Sequence, residues 1–224
     1  MGCKLLKIME NWVIVLMFTF GVTSTVSAEE KNYYAKEGFY VGVMCPYNTV
    51  SGDFNGETAL VAPDEIVIVP KVKSNYGWGV LLGRRSSRSA LELSYLKSTH
   101  DGIFLGYKCK VNYNMVNVDF KSFFSADKPI QPYLLFGLCF PRLVVKDGSV
   151  DYFLNVGNAT FKGIGLNIGG GLSYYLNPKA SISLGVIYRW INYSSVESVG
   201  GGGSIEDGLK GNSLNFSATI TFIF

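Results

Sequence analysis

The chain of 224 residues has one histidine, His100, with Ser98 two positions before it and Asp101 beside it. A nucleophilic relay needs a hydroxyl, an imidazole and a carboxylate in one hydrogen-bonded line, and a zinc site needs several nitrogen, sulfur or carboxylate donors converging. Either would have to be assembled around this single imidazole. His100 therefore reads as an exposed histidine in a short loop, and no catalytic, cofactor or metal residue is assigned. Four other charges, Glu92, Asp119, Lys121 and Arg189, fall where the pattern described below places small and polar side chains. An enclosed ion without a partner is costly, so these four should pair with one another or with trapped water and form a structural plug. The functional alternative is a narrow polar passage.

Other short motifs carry less. Gly200-Gly201-Gly202-Gly203 has no strand-to-helix context for a phosphate cradle and reads as a mobile loop tip. Asn158-Ala159-Thr160 and Asn192-Tyr193-Ser194 fit a glycosylation pattern that is common by chance.

The elements that must position these residues begin with a leader. Lys4 and Lys7 precede an apolar run over residues 12–22, followed by small residues ending Val26-Ser27-Ala28 before Glu29. That is a signal-peptide layout, and the apolar core of about eleven residues is short of the twenty or so needed to span a membrane as a helix. Cleavage between Ala28 and Glu29 is expected, leaving 29–224 as one domain. Cys3 precedes the apolar run, where a lipoprotein cysteine would follow it, and goes with the leader. Cys45, Cys109 and Cys139 remain, an odd number, so at least one thiol stays free; Cys109 and Cys139 read as unrelated apolar-site cysteines, with a cross-strand disulfide conceivable. Eighteen basic against sixteen acidic residues, spread along the mature chain, give no support to nucleic-acid binding.

From Phe39 onward the apolar residues recur with period two, which is the strand signature. Ile164, Leu166, Ile168, Leu172 and Tyr174 share one face; Gly165, Asn167, Gly169, Gly171 and Ser173 share the other. After Asn177-Pro178-Lys179, Ile182, Leu184, Val186, Tyr188 and Trp190 repeat the division, as do Phe39, Val41 and Val43, then Tyr76, Trp78, Val80 and Leu82, then Leu91, Leu93 and Tyr95, then Leu134, Phe136 and Leu138. One strand breaks the rule. Val111, Tyr113 and Met115 have one parity and Val116, Val118 and Phe120 the other, which predicts a β-bulge near Met115 and Val116. Eight strands result. Long links over 46–74, 100–108, 146–160 and 191–212 alternate with short ones over 85–89, 125–129 and 176–179, so one rim has turns and the other loops.

Alternation also suits a soluble sandwich, whose wet face should be rich in charge. Here the second face is mostly Gly, Ser, Asn and Thr, which suits a crowded lumen with the apolar face turned to lipid. Tyr76, Trp78, Tyr174, Tyr175, Tyr188, Trp190 and Tyr193, near strand ends, are expected at the headgroup level. The fold expected is all-β, an eight-stranded antiparallel up-and-down transmembrane barrel.

The final strand, Leu214-Asn215-Phe216-Ser217-Ala218-Thr219-Ile220-Thr221-Phe222-Ile223-Phe224, together with the leader and the eight amphipathic strands, resembles the small OmpA/OmpX-type outer-membrane barrels over nearly all of the mature chain. Gln131-Pro132-Tyr133-Leu134-Leu135-Phe136-Gly137 is similar to the start of the fifth strand in that family. The resemblance implies a bacterial outer-membrane address, contact with outer-membrane lipid and lipopolysaccharide, and recognition by the barrel-assembly machinery through Phe216, Ile220, Phe222 and Phe224. No peptidoglycan-binding domain follows Phe224, so a cell-wall tether is not implied. Some barrels of this kind modify lipid A with a serine and a histidine, which Ser98 and His100 resemble without a second matching motif. Three roles follow as expectations: a structural or surface-interaction barrel presenting loops, of which 48–73 with Val67-Ile68-Val69 could form an extended hairpin; a narrow channel; and, less favoured, the lipid-modifying enzyme.

Overall fold

The computed structural model describes residues 33–224 apart from 56–57, 62–64, 105, 151–155 and 199–200. The expected leader and its cleavage point at Ala28 and Glu29 lie outside the described residues. The described chain is strand and turn. β1 spans Gly38–Asn48, β2 Thr58–Val61, β3 Glu65–Ile68, β4 Lys71–Val72, β5 Asn75–Arg85 and β6 Ser89–Phe104. β7 spans Tyr107–Phe123, β8 Ile130–Val150, β9 Val156–Asn177, β10 Ala180–Ser198, β11 Gly201–Lys210 and β12 Ser213–Ile223.

Eight of these strands make a closed antiparallel ring in the order β1, β5, β6, β7, β8, β9, β10, β12, with β12 pairing back onto β1. Closure satisfies every backbone edge, the condition for a sheet to sit in hydrocarbon. The stagger of the ring is legible in one row of inward residues. Tyr40 pairs with Gly83, and the row continues through Glu92, Asp119, Gly137, Asn167 and Arg189 to Ser213 on β12. Tyr40 itself pairs on β12 not with Ser213 but with Ile223, ten residues further along. That shear in eight strands corresponds to a tilt of about 40° and an interior wide enough only for side chains.

The outward face is apolar. Phe39, Val43, Leu82, Leu134, Phe136, Leu166, Leu184, Ile220 and Phe222 are all exposed, as a wall facing acyl chains must be. Tyr76, Trp78, Tyr95 and Trp190 ring its upper margin and Tyr174 its lower one. Tyr175 and Tyr193 do not join them. Both have inward parity and are buried, because one residue's slip in period two reverses the face.

Beyond the wall the structure departs from the expected loops. A strand crosses hydrocarbon in about nine to eleven residues, yet β8 has 21 and β9 has 22. Much of the expected 146–160 and 191–212 loops is strand: β8 and β9 run on to Val150 and Val156, and β10 reaches Ser198, where β11 pairs with it. The expected 100–108 loop is a tight connection, since Phe104 already pairs with Tyr107. Gly201, Gly202 and Gly203 are strand residues opposite Ser198, Glu197 and Val196, not a loose tip. β2 and β3 do form a hairpin within 48–73.

The predicted bulge at Met115 and Val116 is absent. β7 runs in unbroken register against both neighbours, with Val111, Tyr113 and Met115 inward and buried. The chemistry of the interior changes there, not the backbone. Above the row of Tyr40 and Glu92 the inward residues become a hydrophobic core of Leu96, Val111, Tyr113, Met115, Leu143, Val145, Phe161, Ile191, Tyr193 and Val196. Each large side chain withdrawn from water there contributes roughly 1.5–3 kcal/mol. The segment after β1 closes this core from above. Phe54 is 2% exposed and packs edge-on against Phe161 and Tyr193, with ring centroids 5.7 and 5.0 Å away. Gly52 makes that return possible, with φ +88 and a position whose added Cβ would lie 2.2 Å from the Lys210 carbonyl oxygen.

Candidate functional site

The barrel interior holds the polar chemistry in three levels. At the short-turn rim, Arg85 ends β5 pointing inward. Its two terminal nitrogens donate to the Tyr175 hydroxyl and the Gln131 side-chain oxygen Oε1, each at 2.5 Å, and its guanidinium lies 3.9 Å over the Phe123 ring. Gln131 in turn donates to the Ala126 and Lys128 carbonyls, at 3.1 and 2.9 Å, fixing the short turn beneath it. Arg85, Tyr175 and Gln131 were not legible as site residues, because Arg85 sits at the strand end where the sequence reads a turn.

At the next level stand the four predicted charges, all buried. Lys121 donates to Glu92 at 2.7 Å, and the Tyr40 hydroxyl donates to the same carboxylate oxygen at 2.6 Å. Lys121 also lies 4.8 Å over the Tyr133 ring. Asp119 belongs to a second chain of bonds: Asn167 donates to it at 2.7 Å and to Asn117 at 3.3 Å, and Asn117 donates to Ser94 at 3.1 Å. Arg189 is 1% exposed, and its Nε and Nη1 have no protein acceptor among the described residues. Charge balances in number across the level, two anions against two cations.

Glycines set which of these groups meet. Gly83 lies between Tyr40 and Glu92 in the row, and an added Cβ would fall 2.3 Å from the Tyr40 ring. Gly137 lies between Asp119 and Asn167, where a Cβ would fall 2.2 Å from Asp119 Oδ1. Each is a gap in the wall of side chains through which a polar group reaches its partner two strands away. The signal was present in the sequence as small residues at inward positions, but which pair each one separates depends on register.

The third level overturns the reading of His100 as an exposed loop residue. It lies in β6, fully buried. Its Nδ1 is 2.7 Å from the Lys73 carbonyl oxygen and its Nε2 is 2.7 Å from Ser98 Oγ. A carbonyl can only accept, so Nδ1 carries the proton and Nε2 accepts from the serine hydroxyl. Ser98 and His100 have inward parity two residues apart, so the strand itself brings them together. The bonding is that of an activated serine, but Ser98 is 3% exposed and the apolar core surrounds the pair. Asp101 takes no part. It faces outward and pairs with Lys110 at 2.5 Å, which holds its carboxyl below the usual range.

A cavity of about 20 Å³ lies in the lower half, lined by Tyr40, Arg85, Glu92, Lys121 and Tyr175, room for about one water. Cys45, Cys109 and Cys139 are all unpaired, at exposed, half-buried and buried sites. Among the described residues no cluster of histidine, cysteine and carboxylates could hold a metal. Phe216, Ile220, Phe222 and Phe224 line the outward face of the last strand and its end, all exposed.

A family model described as outer membrane protein beta-barrel domain matches residues 18–222. No curated protein matches the sequence. Among solved structures, Neisserial surface protein A is similar with a TM-score of 0.55 at 18% identity, over 84% of this chain and 97% of that one. The outer membrane protein OprG from Pseudomonas aeruginosa gives 0.55 at 15% identity, over 85% and 98%. A major outer membrane protein from Thermus thermophilus gives 0.51 at 12%, over 82% and 99%. At such identities the likeness is one of fold.

Proposed function

The chain belongs to the outer membrane protein β-barrel family and resides in the bacterial outer membrane, and from that premise we propose that it is a closed surface barrel whose outer hairpins are its working part. The observation that carries the reading is the filled interior. A polar level of two anions and two cations is capped by an apolar core that Phe54 closes from above, which argues against a channel. Ser98 and His100 are likewise buried beside the apolar core, which argues against the lipid-modifying role.

What remains accessible is the long-hairpin rim, carried on strands that extend about ten residues past the hydrocarbon. Exposed loops on a rigid scaffold are where recognition concentrates. The β2–β3 hairpin is the segment to test, because it pairs with the rest of the molecule only at Val61 and Ile205 among the described residues. Residues 50–54 must stay, since Val50 and Phe54 belong to the core. Replacing 58–68 by a short turn is expected to leave a folded, heat-modifiable barrel and to remove binding of cells that display it to host or neighbouring-cell surfaces. Undiminished adhesion with the hairpin gone would refute the assignment.

A further inference from the structure

We propose that the outer wall of β6 to β9 carries a binding site for the phosphate headgroup of an anionic lipid in the outer leaflet. The site stands apart from the hairpin surface and does not rest on that reading. On each of these four strands the outward face changes from apolar to polar at one step: from Tyr95 to Lys97 on β6, from Val116 to Asn114 on β7, from Phe140 to Arg142 on β8 and from Ile164 to Lys162 on β9. The register makes these first polar positions neighbours. Lys97 pairs with Asn114, Asn114 with Arg142, and Arg142 with Lys162, so the four form a single row across the wall.

Strands are about 4.8 Å apart, which puts Lys97 and Arg142 roughly 10 Å apart at the backbone, with the Asn114 amide between them. Long cationic side chains at that spacing can meet on one phosphate, and guanidinium adds a fork of donors that matches its oxygens. Among the described residues neither Lys97 nor Arg142 has an acidic partner; Lys162 pairs with Glu197, and that pair is well exposed. Four positions further along the strands, beyond Asn112 and Val144, stand Lys110, which pairs with Asp101, and Lys146.

Position selects a lipid as the occupant. The row begins where the acyl-facing wall ends, next to a headgroup-level aromatic pair: Trp78 is paired with Lys97, and its ring packs on Tyr95 at 6.1 Å. On β10 and just past β1 the first outward polar positions are the uncharged Asn192 and Thr49, with the exposed Lys210 of β11 opposite Asn192.

Trp78 also supplies the readout. In a Trp190→Phe background it is the one indole of the mature chain. The protein is reconstituted in phosphatidylcholine vesicles containing a fraction of phosphatidylglycerol, with bromine on the acyl chains of one lipid or the other. Wild type is expected to show Trp78 quenched preferentially by the brominated anionic lipid, with a relative binding constant of about five- to tenfold. The triple variant Lys97→Gln, Arg142→Gln, Lys162→Gln should return it to about one. These side chains are exposed, and a retained heat shift on gels verifies that the variant is folded. Equal quenching by the two lipids in wild type overturns the proposal, as does a preference that survives the triple variant. Loss of the preference on adding inorganic phosphate, but not chloride at equal ionic strength, overturns it in favour of a soluble anion.

Discussion

Gly137 shows how much of this interior is decided by a missing methyl. Asn167 reaches Asp119 across its backbone, and an added Cβ would stand 2.2 Å from the acceptor oxygen. Gly137→Ala should therefore cost about 2–4 kcal/mol, from the clash together with a buried carboxylate deprived of its donor. Urea unfolding of the reconstituted protein measures it, and a change within experimental scatter would show that the gap is unnecessary. His100 makes a second residue-scale case. It stands level with outward Thr99, Asp101 and Lys110, beyond the apolar wall, where burial holds its pKa below the ordinary 6.5 against the pull of the Lys73 carbonyl. The neutral imidazole's contribution is complete above 6.5 and is lost as pH falls from there toward the lowered folded value. Between pH 7.5 and 5 wild type should lose more stability than His100→Gln. Identical pH profiles would remove the histidine from the account.

At the scale of the element, the last strand closes the ring. The Phe224 amide donates to the Phe39 carbonyl at 3.0 Å, and Ile223 donates to Lys179 at 2.6 Å, so the end of the strand ties the seam to the neighbouring short turn. Phe216, Ile220, Phe222 and Phe224 lie along one outward edge of that strand, available to a partner before the ring shuts. Deleting Phe224 is expected to slow assembly in cells several-fold while the purified chain still folds into detergent, since one rim hydrogen bond contributes only about 1 kcal/mol. Equal rates of appearance of the heat-modifiable form in deletion and wild type would separate these residues from assembly.

For the whole molecule, the prediction concerns the axis of the barrel. Eight strands with this stagger leave an interior that side chains fill, and here two apolar clusters bracket one level of buried charge. Planar bilayers containing the purified protein should show no steps of conductance, and Arg189→Ala should not create them while the apolar core above remains. Regular conductance in wild type would mean that the upper core opens in the membrane. A folded barrel should also migrate differently on gels before and after boiling.

The sequence by itself determined the wall. Period-two alternation is local, so Phe39, Leu134, Leu166, Ile220 and their neighbours could be assigned to lipid, the strands counted, and Glu92, Asp119, Lys121 and Arg189 placed on the inner face, without knowing which residue stands beside which. Only the tertiary structure decided what the inner face meets at each height. Val111, Tyr113 and Met115 read as a slip of register because inward was equated with polar, and His100 read as exposed because a polar residue near a turn usually is. Both sit in a core formed by residues far apart in the chain, Phe54, Phe161 and Tyr193 among them. That environment arises from closure and stagger, which bring distant segments to the same level, and no local period encodes a distance of that kind.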